Sequence, residues 1–169
     1  LGFTHFRTDI GDGMRSGVYF NSCHGTCFKT CVPLSFLHEH SFGEDTEEKR
    51  FFTESELIEY LREEKTWCYT KPLGISFLGR EPLADPFFAR RVGLGVKALG
   101  MNLHVWTCAT CTPTSFDMMY GVADLFVVNL FSPIKGRHCP FKGFSFQQVV
   151  DNLFYLDRYR FPYRIRIPI

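Results

Sequence analysis

The order of apolar runs along the chain constrains the fold more than any other feature. Short, nearly continuous apolar stretches at Leu73–Gly79, Asn102–Cys108 and Asp124–Leu130 are separated by segments of helical period. A β-branched and aromatic stretch at Arg15–Asn21 precedes them, and Tyr163–Ile167 follows. Between the strands, Thr53 and Glu56 form a capping box ahead of Leu57, Ile58, Tyr60 and Leu61. A second helix is predicted over Asp85–Leu99, where Gly93 and Gly95 each cost about 1 kcal/mol relative to Ala. A short helix opens near Thr114 or Ser115, and Ser145 caps another through Leu156.

Five strands thus alternate with four helices. Strands joined by helical crossovers run parallel, and continuous apolar strands belong to a sheet covered on both faces. The fold class is α/β, as a partial (β/α) barrel of parallel strands or an open doubly wound sheet. Either shape places a site at the carboxyl ends of the strands, where the connecting loops converge. No linker divides residues 1–169, which read as one domain.

Composition narrows the function classes. Lys plus Arg and Asp plus Glu nearly cancel to a formal charge of +1, which gives no argument for nucleic acid or an acidic membrane as partner, and neither is expected. The apolar runs are too short to span a bilayer, so a cytoplasmic protein is expected. Seven cysteines suit reduced thiols better than a disulfide framework. Three of them (Cys23, Cys27 and Cys31) crowd into the loop directly after the first strand, a spacing that favours metal ligation. The Cys108–Cys111 pair has C-x-x-C spacing, a weak signal by itself. His5, His104 and His138 read as structural or surface residues.

Polar or cysteine-bearing segments follow four strands in turn: the cysteine loop, Gly79-Arg80-Glu81-Pro82, Thr107–Cys111, and Asn129. Here the chain resembles the glycyl-radical-enzyme activating enzymes of the radical S-adenosylmethionine superfamily, of the pyruvate formate-lyase activating type. Asp12-Gly13-Met14-Arg15 and the strand leading to Cys23 resemble the family's Asp-Gly-Ile-Arg lead-in to C-x-x-x-C-x-x-C. Leu73–Leu83 is similar to its second strand and Gly-Gly-Glu-Pro turn, and Asp124–Phe131 to its Asp-Leu-Phe-Leu-x-Asp-Ile-Lys strand. Asn152–Leu156 and Arg164–Pro168 resemble the late helix and the Ile-Arg-Ile-Pro strand.

The resemblance implies a [4Fe–4S] cluster on Cys23, Cys27 and Cys31, with one iron left for S-adenosylmethionine. Its reductive cleavage would yield a radical that takes hydrogen from a glycine of a partner glycyl radical enzyme, with electrons from a flavodoxin- or ferredoxin-type donor. The cofactor-binding residues implied are Phe28, Gly79, Arg80, Glu81, Asn129 and Arg166: Glu81 as acceptor for the cofactor ammonium, Arg166 as partner of its carboxylate, Phe28 stacked on adenine. The family fold continues beyond the fifth strand, so a barrel truncated there is expected.

Several positions depart from the family pattern. The third cysteine is one residue late, with Thr30 at the expected ligand position. Arg80 replaces the second glycine of the turn, Phe131 replaces a lysine, and Trp106 and Asn129 replace two acids that help bind a monovalent cation, so that cation is not expected. Plainer readings stand beside each role: zinc with His24, His38 or His40 for the cysteines, a surface ion pair for Arg80, core packing for Trp106 and Phe28. Arg164 and Arg166 share a strand face by period two, which also suits a wetted edge strand. The rival functions are a non-catalytic or zinc-binding relative acting through protein binding, and an activase of anaerobic ribonucleotide reductase.

Overall fold

The computed structural model describes residues 2–7, 10–20, 52–67, 74–130 and 145–167, with backbone only at 2–7 and 64–67. Cys23, Cys27, Cys31 and Phe28 lie outside the described residues. One sheet organises the rest. Its strands are β1 (Gly2–Arg7), β2 (Arg15–Phe20), β3 (Gly74–Gly79), β4 (Asn102–Thr107), β5 (Leu125–Asn129) and β6 (Tyr163–Arg166), lying side by side in that order. From β2 to β6 every neighbouring pair is parallel, as the helical crossovers require. β1 adds an antiparallel strand beside β2 that the sequence reading had not identified.

The crossovers are α1 (Glu54–Trp67) before β3, α2 (Pro86–Ala98), the single-turn-and-a-half α3 (Pro113–Met118), and α4 (Phe146–Arg158). Their starts follow local chemistry. Thr53 N donates to Glu56 Oε2 at 2.8 Å, the reciprocal bond of the capping box. Asp85 and Ser145 cap α2 and α4 through the amides of Phe88 and Gln148. The two glycines of α2 have a packing reason. A Cβ on Gly93 would lie 2.6 Å from Val122 Cγ1, and one on Gly95 would collide with Ile58 of α1. Asp124 ties the end of α2 to the start of β4, accepting from Lys97 Nζ at 2.7 Å and from Leu103 N at 2.6 Å.

A strictly sequential strand order with right-handed crossovers puts every helix on one face. The main core shows this: Val18, Ile75, Phe77, Leu103, Val105, Phe126 and Val128 meet Leu57, Leu61, Val92, Val96, Phe116, Val149 and Leu156. The sheet is singly wound, a partial barrel that does not close.

The opposite, inner face carries Arg15, Tyr19, Ser76, Leu78, His104, Trp106, Val127, Asn129, Arg164 and Arg166 by strand alternation and register. The β1–β2 turn folds over this face. Ile10 packs against Tyr19, Leu78 and Trp106, and its carbonyl accepts from Ser76 Oγ at 2.6 Å. Farther along, Asp12 pairs with Arg164 through both carboxylate oxygens, at 2.9 and 3.1 Å. Four strand spacings of a flat sheet are about 19 Å. Asp12 is three residues from the start of β2, about 10 Å of backbone, and the two side chains with their hydrogen bonds supply the rest of the span, so the pair bridges the inner face from β2 to β6.

Arg15 anchors the turn from beneath. Buried, it donates from Nε to Ser76 Oγ at 2.9 Å and from Nη2 to the carbonyls of Ile75 at 2.6 Å and Asn102 at 3.1 Å. Burial lowers its pKa to about 10, still cationic at neutral pH. Arg15→Met, which keeps the apolar stem and deletes these bonds, is expected to cost about 2–3 kcal/mol in a urea titration. An unchanged midpoint would mean that the guanidinium is dispensable to the sheet.

Candidate functional site

The carboxyl ends of β2 through β6 form one edge, and the predicted site residues outside the cysteine loop lie along it. Phe20 ends β2 and is paired with Gly79, the end of β3. Gly79 has φ +100°, and a Cβ there would lie 2.7 Å from Phe20 N and closer still to Phe20 O. Only glycine fits this close crossing of two backbones. The Arg80 amide donates to the same Phe20 carbonyl at 3.2 Å, and the Arg80 side chain is half-buried. Phe20, three residues before Cys23 in sequence, is the last described residue of this segment.

Glu81 is 2% exposed. Its Oε1 accepts from Leu83 N at 3.1 Å, capping the 3₁₀ turn Pro82–Ala84, and its Oε2 accepts from Cys108 N at 2.9 Å in the loop after β4. The Thr107 hydroxyl also bonds to it. The carboxylate is therefore a strut between two loops, with both oxygens engaged. Burial pushes its pKa up to about 7, opposed in part by the N–H and O–H donors.

The loop that Glu81 grips is held from the other side by α4. Ala109, buried with φ +53°, passes its carbonyl to Asn152 Nδ2 at 2.9 Å, and the same amide reaches Cys111 O at 2.8 Å. Ala109 N donates to Thr107 Oγ1 at 2.9 Å. A non-glycine residue in the left-handed region persists only where its surroundings fix it, and such positions cluster at functional sites. Cys111 is a buried free thiol; burial, then the Glu81 charge, holds it well above its ordinary pKa. It is no nucleophile at neutral pH.

At the far end of the edge, Asn129 and Arg166 are register partners on β5 and β6. Arg166 Nη1 donates to Asn129 Oδ1 at 3.4 Å, and the guanidinium carbon lies 5.2 Å from the centroid of the Trp106 ring. Among the described residues no carboxylate pairs with Arg166, whereas Arg164 is taken by Asp12. Two buried nitrogens of the inner face, Trp106 Nε1 and His104 Nδ1, have no hydrogen-bond partner among the described residues. Burial, then the Arg15 charge, lowers the His104 pKa to about 4, keeping that ring neutral.

Sequence reasoning placed Gly79, Arg80, Glu81, Asn129 and Arg166 on one edge, and the structure brings Asn129 and Arg166 into contact. It missed Asn152, Thr107 and Ala109 as loop supports. Asn152, a buried amide on the apolar side of α4, was the available signal. Among the described residues no group of three or more His, Cys, Asp or Glu side chains is arranged to hold a metal ion. No helix there is long and apolar enough to cross a membrane.

No family model matches the chain. Two curated relatives do. It is 26% identical over 117 residues to the choline trimethylamine-lyase activating enzyme of Oleidesulfovibrio alaskensis, covering 69% of this chain and 38% of that protein. It is 28% identical over 99 residues to the benzylsuccinate synthase activating enzyme of Thauera aromatica, covering 57% of this chain and 29% of that protein. The chain is similar to glycyl-radical-enzyme activating enzymes. It spans well under half the length of either relative. The activating-enzyme similarity agrees with the resemblance carried by the Asp12–Cys23, Leu73–Leu83 and Arg164–Pro168 segments, and with a parallel α/β sheet.

Proposed function

We propose that this chain carries the core of a radical S-adenosylmethionine activating enzyme, which installs a glycyl radical on a partner enzyme in the cytoplasm. One observation carries the reading beyond the similarity itself. β2, which ends three residues before Cys23 in sequence, finishes at the same edge that presents Gly79, Asn129 and Arg166, the last with no acid partner among the described residues. Cys23, Cys27 and Cys31 would hold a [4Fe–4S] cluster, Phe28 would lie against the adenine, and Arg166 would take the cofactor carboxylate as a charge-assisted pair. When bound, the cluster and S-adenosylmethionine supply reductive cleavage of the sulfonium, with electrons from a flavodoxin- or ferredoxin-type donor.

The protein's own contribution is positional. Gly79 lets β3 press on Phe20 and so sets where the cysteine loop begins. Glu81 and Asn152 stiffen the loop after β4. Glu81, with both oxygens on N–H donors, contributes to the cofactor ammonium through the shape of the turn rather than through a free carboxylate.

The test is anaerobic reconstitution with iron and sulfide. The expected result is broad charge-transfer absorbance, and 5′-deoxyadenosine on adding reductant and S-adenosylmethionine. Cys23→Ala, Cys27→Ala and Cys31→Ala should each abolish both signals. A chain that takes up no iron would sink the proposal. The engaged state of Glu81 favours a second reading, a zinc-binding relative that acts through protein contacts; stoichiometric zinc without iron after anaerobic purification would support it.

A further inference from the structure

Arg164 and Arg166 occupy the same face of one strand, yet their surroundings differ. Arg164 is neutralised by Asp12 in a two-oxygen pair. Arg166 has no acid among the described residues. It is held instead by two neutral groups from the neighbouring strands, the indole face of Trp106 at 5.2 Å and the amide oxygen of Asn129 at 3.4 Å. An aromatic face and an amide oxygen orient a guanidinium without cancelling its charge. The remaining N–H groups of its planar fork then suit a bidentate oxyanion.

A second observation points the same way. The Trp106 Nε1–H is buried with no acceptor among the described residues, and a buried donor normally has a partner. Indole N–H, guanidinium and carboxamide thus come from three adjacent strands at one end of the inner face, and the buried acid nearest in sequence to this edge, Glu81, already has both oxygens engaged.

We infer that Trp106 is part of the binding site and not only core: its ring positions Arg166, and with Asn129 it completes a receptor for one carboxylate group of the bound ligand. The inference deepens the functional reading above and rests on it, with S-adenosylmethionine as the carboxylate-bearing ligand.

The experiment is calorimetry on the full chain, anaerobically reconstituted, with two probes: S-adenosylmethionine and its decarboxylated analogue. Trp106→Leu removes the ring face and the N–H; Trp106→Phe keeps a face. Trp106→Leu is expected to weaken S-adenosylmethionine binding about tenfold or more, the scale of one lost cation–π and hydrogen-bond pair, and to leave the analogue within about twofold. Trp106→Phe should recover part of the loss, because it restores a ring face and not the N–H. Equal weakening of both probes would make Trp106 merely structural and overturn the inference, as would no weakening of either. Cluster-loaded wild type that binds neither probe would overturn the functional reading itself, and this inference with it. Wild type that binds both probes equally would overturn the inference alone.

Discussion

Gly79→Ala is expected to lower stability by about 2–6 kcal/mol, the sum of left-handed backbone strain and overpacking against an immovable neighbour. The neighbour is decisive. A Cβ at 79 meets Phe20 N at 2.7 Å and Phe20 C at 3.2 Å, backbone atoms of the adjacent parallel strand that no rotamer change can move aside. Gly13 supplies the control. Its φ of +76° is also left-handed, but a Cβ there has nothing within 4 Å, so Gly13→Ala should show only the local conformational cost. Urea denaturation of the two variants beside wild type separates the terms; equal midpoints would show that the β2–β3 crossing yields more easily than its geometry implies. Because Phe20 precedes Cys23 by three residues, iron uptake by Gly79→Ala should fall even where the chain still folds.

The second large effect is a pH dependence centred on Glu81. Its folded pKa is raised from 4.5 to about 7, so the folded state holds a proton that the unfolded state has released. Stability from this group is complete below pH 4.5 and is lost as pH rises toward 7, by roughly 3 kcal/mol for a shift of this size. His104 acts in the opposite sense. Its folded pKa is lowered from 6.5 to about 4, so the unfolded state binds the extra proton and stability rises with pH across that interval. The two nearly offset each other between pH 4.5 and 6.5, and wild type should be almost flat there. Glu81→Gln removes one side of the balance. Its stability should rise from pH 4.5 to 6.5, and the gap between variant and wild type should widen in the variant's favour by roughly 3 kcal/mol up to pH 7.5. A gap that narrows instead would mean that the amides of Leu83 and Cys108 outweigh burial and hold the carboxylate ionised.

How much of this was legible in the sequence depends on how local each cause is. The inner parallel strands were readable because both their faces are covered, which leaves continuous apolar runs such as Ile75–Leu78 and Phe126–Val128, whereas β6, mostly exposed, was readable from its resemblance to the family strand. β1 was not, since Gly2–Arg7 has no such run and its strand state comes from pairing with β2. Caps were readable for the same local reason: Thr53 and Glu56 lie three residues apart. The role of Glu81 was harder, because one of its donors is the amide of Cys108, 27 residues away. Period two correctly put Arg164 and Arg166 on one face but gave them equal standing. The partner that separates them is Asp12, 152 residues from Arg164, and no pattern within β6 contains that information. Trp106 shows the same limit in reverse. Its apolar ring invites a core assignment, and its contact with Arg166, 60 positions on, is not visible in β4 alone.

The clasp between Asp12 and Arg164 also joins the first and last members of the parallel sheet. By drawing the β1–β2 turn across to β6, it bridges residues 152 positions apart, so the last strand is fixed by a residue that precedes the first. Among the described residues that turn lies on the inner face beside Tyr19, Leu78 and Trp106, and loss of the clasp would loosen the turn and β6 together.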